Sequence, residues 1–140
     1  MIFVDANVFL SAFVEPQTEN DVYFYKTATT FLEEADGGAI EFTTSDAVLA
    51  EVAFALTSKK HYGKPVPVGV AALASIVQLR GFRHRNKRTL LRAIGIWSAY
   101  PRIGFVDALT AAYAQGPDML LASFDSDFDP LPGIIRWTPD

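Results

Sequence analysis

Two short apolar segments, one early and one late in the sequence, are each followed by an aspartate. Asp5 comes directly after Ile2–Val4, which has the β-branched and aromatic composition of a buried strand, and Asp125 comes two residues after Met119–Ser123. In open parallel sheets, ligands bind at the carboxyl ends of the strands, where the backbone leaves the core. Both acids therefore lie where a binding site is expected, although aspartates in such positions also cap turns and helices.

Two further acids fall within predicted helices, among neighbours that do not balance their charge. Glu51 has no basic residue three or four positions away, so it has no ion-pair partner on its own helix. Asp107 opens an alanine-rich helix and stands between apolar residues on both sides. Because burying an unpaired charge is costly, an acid in such a setting is expected to have a partner. The alternatives are a surface glutamate for Glu51 and a capping acid for Asp107.

A divalent cation would explain all four acids together. If they converge, the carboxylates repel one another unless a cation neutralises them. Mg²⁺ or Mn²⁺ suits a site built only from oxygen ligands, and it takes only one or two carboxylates directly. Such an ion activates water and stabilises charge on a phosphoryl oxygen during in-line displacement. Converging acids would therefore support metal-dependent chemistry at phosphorus, although their spacing in the sequence does not establish that they converge.

Length and composition restrict the class of protein. The sequence has 140 residues, 50% of them apolar and 20% charged, which predicts a single folded domain over residues 1–140. It contains no cysteine, so disulfides, thiolate zinc sites and thiol catalysis are excluded. The formal net charge is −4, so a local patch would have to bind any nucleic acid. With no predicted signal peptide or membrane-spanning segment, a soluble cytoplasmic protein is expected.

Half of the basic residues fall in one short segment. Six of the twelve Lys and Arg residues lie between Arg80 and Arg92. In a helix, Arg85, Arg88 and Arg92 share one face, opposite the apolar stripe that ends at Trp97. Such a row supplies the phosphate contacts that give affinity for a nucleic-acid strand. The alternatives are a solvated helix face or a surface for an acidic partner segment.

Apolar periodicity predicts the elements that position these residues. Strands are predicted at residues 2–4, 41–44, 119–123 and 134–137. Helices are predicted at about residues 8–14, 21–35, 46–58, 68–79, 86–100 and 104–114. Because strands separated by helices form parallel sheets covered on both faces, the predicted fold class is α/β, a three-layer α/β/α domain with a central parallel sheet.

Four sequence blocks occur in an order typical of one nuclease family. They are IFVDANVFL at residues 2–10, TSDAVLAEV at 44–52, DALTAA at 107–112 and SFDSDF at 123–128. Each block carries one of the four acids, and together they extend over nearly the whole chain. On these blocks the sequence resembles the PIN-domain nucleases, and in size and layout it is similar to a VapC-type toxin of a toxin–antitoxin pair.

The resemblance implies a metal-dependent endoribonuclease that hydrolyses RNA phosphodiester bonds with Mg²⁺ or Mn²⁺. Its acidic centre would contain four residues: Asp5, Glu51, Asp107 and Asp125. Asp5 and Asp107 match the direct metal ligands, while Asn7 and Ser123 match positions that orient the carboxylates by hydrogen bonding. Asp127 either assists the metal site through water or braces its turn. The resemblance also implies a cognate VapB-like antitoxin and a homodimer.

Two other hypotheses stay open at this stage. A haloacid-dehalogenase-like phosphatase also begins with a strand that ends in an aspartate, but such enzymes usually carry a second aspartate where this chain has Asn7. A non-catalytic PIN-like module would bind RNA or a partner without cleaving, although all four acids are present here. Motifs of nucleotide-binding loops, serine hydrolases and zinc proteases are absent from the sequence.

Overall fold

The structure is a computed structural model that describes residues 1–139. In sequence order its elements are β1 (Ile2–Phe3), α1 (Ala6–Phe13), α2 (Glu19–Asp36), β2 (Phe42–Thr43), α3 (Asp46–Thr57), α4 (Val66–Val77), α5 (Lys87–Ala99), a 3₁₀ turn (Pro101–Ile103), α6 (Gly104–Ala114) and a second 3₁₀ turn (Ser126–Phe128). The six predicted helices are confirmed, with ends that differ from the prediction by at most two residues. No helix within residues 1–139 has both the length and the hydropathy needed to cross a membrane.

The chain divides into two compact units, the first at Met1–Lys87 and the second from Arg88 onward. The sheet of the first unit is small and parallel. β1 pairs with β2, with Ile2 opposite Phe42 and Phe3 opposite Thr43, and a further parallel bridge links Phe42 to Phe82. The predicted α/β class with a parallel sheet is therefore confirmed, although the sheet is smaller than the sequence indicated.

β1 is less buried than its composition predicts. Ile2 is 45% exposed and Phe3 is 61% exposed, whereas Val4 is buried. In the first unit β1 is hydrogen-bonded to β2 along one edge only, so it is an edge strand rather than a central one. The expectation of a buried strand was wrong for Ile2 and Phe3.

The core of the first unit is aromatic and is centred on Phe42. The centroid of its ring lies 5.4 Å from that of Phe82, 5.5 Å from Phe31 and 6.2 Å from Phe9, with the rings tilted or edge-on. Aromatic pairs in these geometries contribute about 0.5–1.5 kcal/mol beyond the burial of their area. This core holds β2 and the bridge at Phe82 in place against α1 and α2.

The second unit has a core of its own. The rings of Trp97 on α5 and Phe105 on α6 meet edge-on, with centroids 5.6 Å apart. A cluster of buried residues lies beside them: Ala111, Ala114, Leu121, Phe128 and Leu131. Phe128 belongs to the 3₁₀ turn that follows Asp125. This core therefore fixes the far end of residues 125–129, which we call the acidic turn because they contain Asp125, Asp127 and Asp129.

The predicted strands at 119–123 and 134–137 are shorter in the structure than expected. Leu121 and Arg136 form a single parallel bridge, flanked by backbone hydrogen bonds of 2.8 and 2.9 Å. Among the described residues, the pairing between these two segments does not extend beyond this bridge. Pro139 follows closely and has no N–H to donate, which limits further pairing.

Gly81 lies where two backbone segments approach closely, which leads to a stability prediction. A Cβ atom there would lie 2.0 Å from the carbonyl oxygen of Ile40 and 3.0 Å from that of Ala35. The N–H of Gly81 donates to the Ala35 carbonyl at 2.9 Å, so the backbone has little freedom to move away. Because overpacking costs about 1–3 kcal/mol, we expect Gly81→Ala to lower the free energy of unfolding in urea by roughly that amount.

Gly95→Ala is the matched control. A Cβ atom at Gly95 in α5 would have no neighbour within 4 Å. Alanine forms helices better than glycine, so this variant should gain about 0.5–1 kcal/mol. A Gly81→Ala protein as stable as the wild type would contradict the close packing at residue 81.

Candidate active site

Asp5 stands at the carboxyl end of β1 and at the start of α1. It is exposed, and although it occupies the N-cap position, its side chain makes no capping hydrogen bond to α1. The Asp5 carbonyl accepts a hydrogen bond from the N–H of Val8 at 3.2 Å, so the backbone alone begins the helix. The capping alternative for Asp5 is therefore wrong, and its carboxylate is not used by α1.

Buried Thr44 ties the ends of the two parallel strands together. Its Oγ1 atom donates to the carbonyl oxygen of Val4 at 2.7 Å. The N–H of Val4 donates in turn to the Thr43 carbonyl at 3.0 Å. Because the strands are parallel, α1 and α3 both begin at this edge of the sheet, directly after Asp5 and Ser45.

Glu51 lies in the middle of α3 and is exposed. The start of α3 is fixed by Ser45, whose Oγ accepts a hydrogen bond from the N–H of Val48 at 3.1 Å. His84 also holds this end of the helix, because its Nε2 lies 2.8 Å from Oδ1 of Asp46 while its ring stacks against Phe82. Glu51 thus stands on a helix with a well-fixed start, which packs against α1.

Asn7 lies in the first turn of α1, where it is exposed and lines two surface cavities. Within residues 1–139 its side chain makes no hydrogen bond to a carboxylate. Its role in orienting the acids stays a prediction.

In the second unit, Asp107 is close enough to two other aspartates for their charges to act on it. Asp107 lies in the first turn of α6, which begins without a side-chain cap. Burial raises the pKa of its carboxyl above the ordinary value of 3.8, and the charges of Asp125 and Asp127 raise that pKa further. The sequence indicated that this acid would need a partner, and the structure surrounds it with like charges instead.

Asp125 caps the turn that it begins. One of its carboxylate oxygens, Oδ1, accepts a hydrogen bond from the N–H of Asp127 at 2.8 Å. Its own N–H donates to Oγ of Ser123 at 3.0 Å. Ser123 therefore positions Asp125 through the backbone. The capping alternative is correct for one carboxylate oxygen of Asp125, and the other oxygen takes no part in the cap.

Arg136 holds this turn and was not singled out from the sequence. Its guanidinium group donates to the carbonyl oxygens of Ser123 and Asp125, the latter at 2.9 Å, and pairs with Oδ1 of Asp129 at 2.7 Å. The sequence did contain a signal for this role. Arg136 is an isolated arginine in an apolar predicted strand, and a cation in such a place requires polar partners.

The predicted basic row is exposed or partly exposed. Arg88 and Arg92 lie on α5, and Arg85 precedes that helix. Arg92 also donates to the Ala112 carbonyl at 3.3 Å and to Oγ1 of Thr89 at 3.4 Å, so it links α5 to α6. These contacts use part of its hydrogen-bonding capacity within the fold.

The donor set of the second unit fits a hard divalent cation. Within residues 1–139 no three Asp, Glu, His or Cys side chains are grouped closely enough to hold a metal ion together. Asp107, Asp125 and Asp127 offer only oxygen atoms, and Asp107 is partly desolvated among like charges. Mg²⁺ keeps several waters and takes one or two carboxylates directly, so a loose group of acids suits it.

The comparison with known families agrees with this chemistry. The model of the PIN domain family matches residues 2–133. That range includes all four acids predicted from the sequence and extends into both compact units. No curated protein matches the chain.

The raised pKa of Asp107 predicts the effect of pH on stability. The folded protein binds this proton more tightly than the unfolded chain, so the contribution of Asp107 to stability falls as pH rises above the ordinary value of 3.8 and through the folded pKa. The Asp107→Asn variant does not lose this contribution, because asparagine does not titrate. In a chelating buffer at neutral pH we expect the variant to melt at a higher temperature than the wild type, with the difference disappearing in acid.

Asp129→Asn provides the control for this measurement. It removes a carboxylate of the same unit that is paired with Arg136, so its melting temperature should not rise. If Asp107→Asn melts no higher than the wild type at neutral pH, the electrostatic strain assigned to Asp107 is wrong.

Proposed function

This chain belongs to the PIN domain family, and we propose on that basis that it is an endoribonuclease that hydrolyses RNA phosphodiester bonds with Mg²⁺ or Mn²⁺. PIN domains are in general metal-dependent nucleases. The single observation that carries the proposal is this family match, which includes all four predicted acids. The Asp107 carboxylate supports it, because a partly buried acid near two others is costly for the fold without a cation and useful to it with one.

The proposed acidic centre consists of four residues: Asp5, Glu51, Asp107 and Asp125. Asp5 and Asp107 would hold the ion directly. The absence of a capping bond from the Asp5 side chain and the charge environment of Asp107 both support this role. When bound, the ion supplies positive charge that stabilises a phosphoryl oxygen during displacement and promotes ionisation of the attacking water.

The other polar residues of the centre act as positioning residues in this proposal. Ser123 and the N–H of Asp127 fix the backbone and one carboxylate oxygen of Asp125, which leaves its second oxygen for the centre. We propose that the Asp127 side chain braces the turn rather than assisting the metal site through water. Asn7 would orient the carboxylate of Asp5, two residues before it on the same turn.

RNA would be held by Arg85, Arg88 and Arg92. Their exposure supports contact with phosphates, which contributes affinity and position but little sequence information. Because the net charge of the chain is −4, a polyanion is attracted to a local patch and not to the whole molecule.

The biological role that we propose is that of a VapC-like toxin in the cytoplasm, restrained by a cognate VapB-like antitoxin and active as a homodimer. The length of 140 residues and the four ordered blocks support it. We also propose that residues 1–140 form one PIN-like domain. The family match supports this, because it extends across both compact units.

Cleavage of RNA tests the proposed activity. Wild-type protein should cleave a structured RNA in Mn²⁺ and lose that activity in a chelator. Asp107→Asn should reduce the cleavage rate by at least about 100-fold, because even residues that merely support metal ligands contribute about 10–100-fold. Product formation on denaturing gels measures both effects.

Asp118→Asn is the matched control, since it makes the same chemical change at an exposed aspartate. Asp118 has φ 59°, a conformation that asparagine tolerates well, so this variant should keep full activity. Equal cleavage by wild type and Asp107→Asn would reject the acidic centre. RNA binding without metal-stimulated cleavage would indicate a binding module, and a phosphate trapped on Asp5 would indicate a phosphatase.

Metal-dependent stabilisation tests the ligands separately from activity. An ion that binds only the folded protein adds about 2.7 kcal/mol of stability at about 100 times its Kd. We expect Mn²⁺ to raise the melting temperature of the wild type and of Asp118→Asn. Asp5→Asn should lose this increase, and an undiminished increase would remove Asp5 from the proposed ligands.

A further inference from the structure

Phe124 exposes its whole ring beside the acidic turn. Its relative accessibility is 110%, so the side chain is as open to water as in an extended peptide. Asp125 follows it directly, and Asp127 lies three residues later. A phenylalanine in such a position forgoes the gain that burial of an aromatic ring provides.

The exposure of Phe124 does not come from a loose backbone. Arg136 donates to the carbonyl oxygens of Ser123 and Asp125, the residues on either side of Phe124. The N–H of Asp125 also donates to Oγ of Ser123 at 3.0 Å. The backbone at Phe124 is thus fixed on both sides, and the ring is held outward.

The negative charge of the nearby carboxylates explains why an uncharged contact to RNA would be useful beside Asp125. Without a bound cation, the carboxylates near Asp107 repel the phosphates of a nucleic-acid strand, so they do not themselves attract the substrate. Stacking of a base on an aromatic ring involves no net charge and tolerates any sequence, because every base has a π-face. A ring next to Asp125 is therefore suited to hold a nucleotide against this repulsion.

We propose that Phe124 stacks on an unpaired base of the RNA and thereby positions the adjoining phosphate at the acidic centre. The proposal rests on the proposed ribonuclease function and adds to it a residue that positions the substrate. A base within a duplex has neighbours on both faces, whereas an unpaired base offers a free face to an aromatic side chain. A paired strand should therefore gain nothing from Phe124.

The test compares the wild type with Phe124→Ala and the conservative variant Phe124→Tyr. Affinity is measured by fluorescence anisotropy in a chelator, so that no cleavage occurs, with a short single-stranded RNA and with the same sequence as a duplex. Phe124→Ala should weaken single-strand binding by about 5- to 150-fold, the range typical of one stacked base, and leave duplex binding unchanged. Phe124→Tyr should bind like the wild type.

A spectroscopic signature separates stacking from other effects. When 2-aminopurine replaces successive bases of the RNA, its emission should be quenched at one position by the wild type and by Phe124→Tyr, and not by Phe124→Ala. Tyr23→Ala, which removes an aromatic ring that is 66% exposed on α2, should behave like the wild type. The melting temperatures of wild type and Phe124→Ala should agree, because a fully exposed ring contributes no packing.

The outcomes distinguish this proposal from the proposed function. If wild-type protein cleaves and binds single-stranded RNA and Phe124→Ala binds it equally well, the stacking role is overturned while the nuclease stands. An equal loss on single strands and duplexes also overturns it, as does a change in the solution mass of Phe124→Ala with unchanged RNA binding, which would make the ring a protein contact. If the wild type neither binds nor cleaves RNA, the proposed function fails first.

Discussion

The burial of the Asp107 carboxylate close to two other acids is the constraint that the second unit has to satisfy. Asp107 lies partly out of water within reach of the charges of Asp125 and Asp127, and this raises its pKa. If α6 or the acidic turn could move, these carboxylates would separate, because their full hydration would lower the electrostatic free energy of the fold. The core around Trp97 and Phe128 resists that movement by fixing α6 and the end of the acidic turn.

Arg136 holds the acidic turn but does not neutralise Asp107, Asp125 or Asp127. Arg136 directs its guanidinium group to two backbone carbonyls and to the carboxylate of Asp129. Its charge therefore fixes the turn, while burial and the charges of Asp125 and Asp127 keep the pKa of Asp107 raised. A cation placed on Asp125 or Asp127 would have stabilised the fold more directly and would have occupied a site that the proposed chemistry requires. In the proposed nuclease, stability and function would therefore be in opposition, as they often are at active sites.

The sequence predicted most of the elements because their information is local. Helical spacing and stop signals fix the six helices, and the apolar setting of Asp107 predicted that this acid would need a partner. Capping could not be decided in the same way, because Asp5 and Asp125 follow similar segments and only Asp125 uses its carboxylate as a cap. Arg136 and the exposure of Ile2 depend on contacts between segments distant in sequence, which a local pattern does not contain.

An acidic centre acting on a polyanion has to obtain its affinity elsewhere. The net charge of −4 makes long-range attraction weak, so the row at Arg85, Arg88 and Arg92 would supply a local and salt-sensitive part of the binding. Stacking on Phe124 would supply a part that salt does not screen. Because only unpaired bases offer a free face, the stacking contact would favour single-stranded over double-stranded RNA. The arginine contacts to phosphates would accept any strand. Selectivity for unpaired RNA would then follow from the stacking that overcomes the repulsion between carboxylates and phosphates. It would not require a side chain that hydrogen-bonds to a base edge.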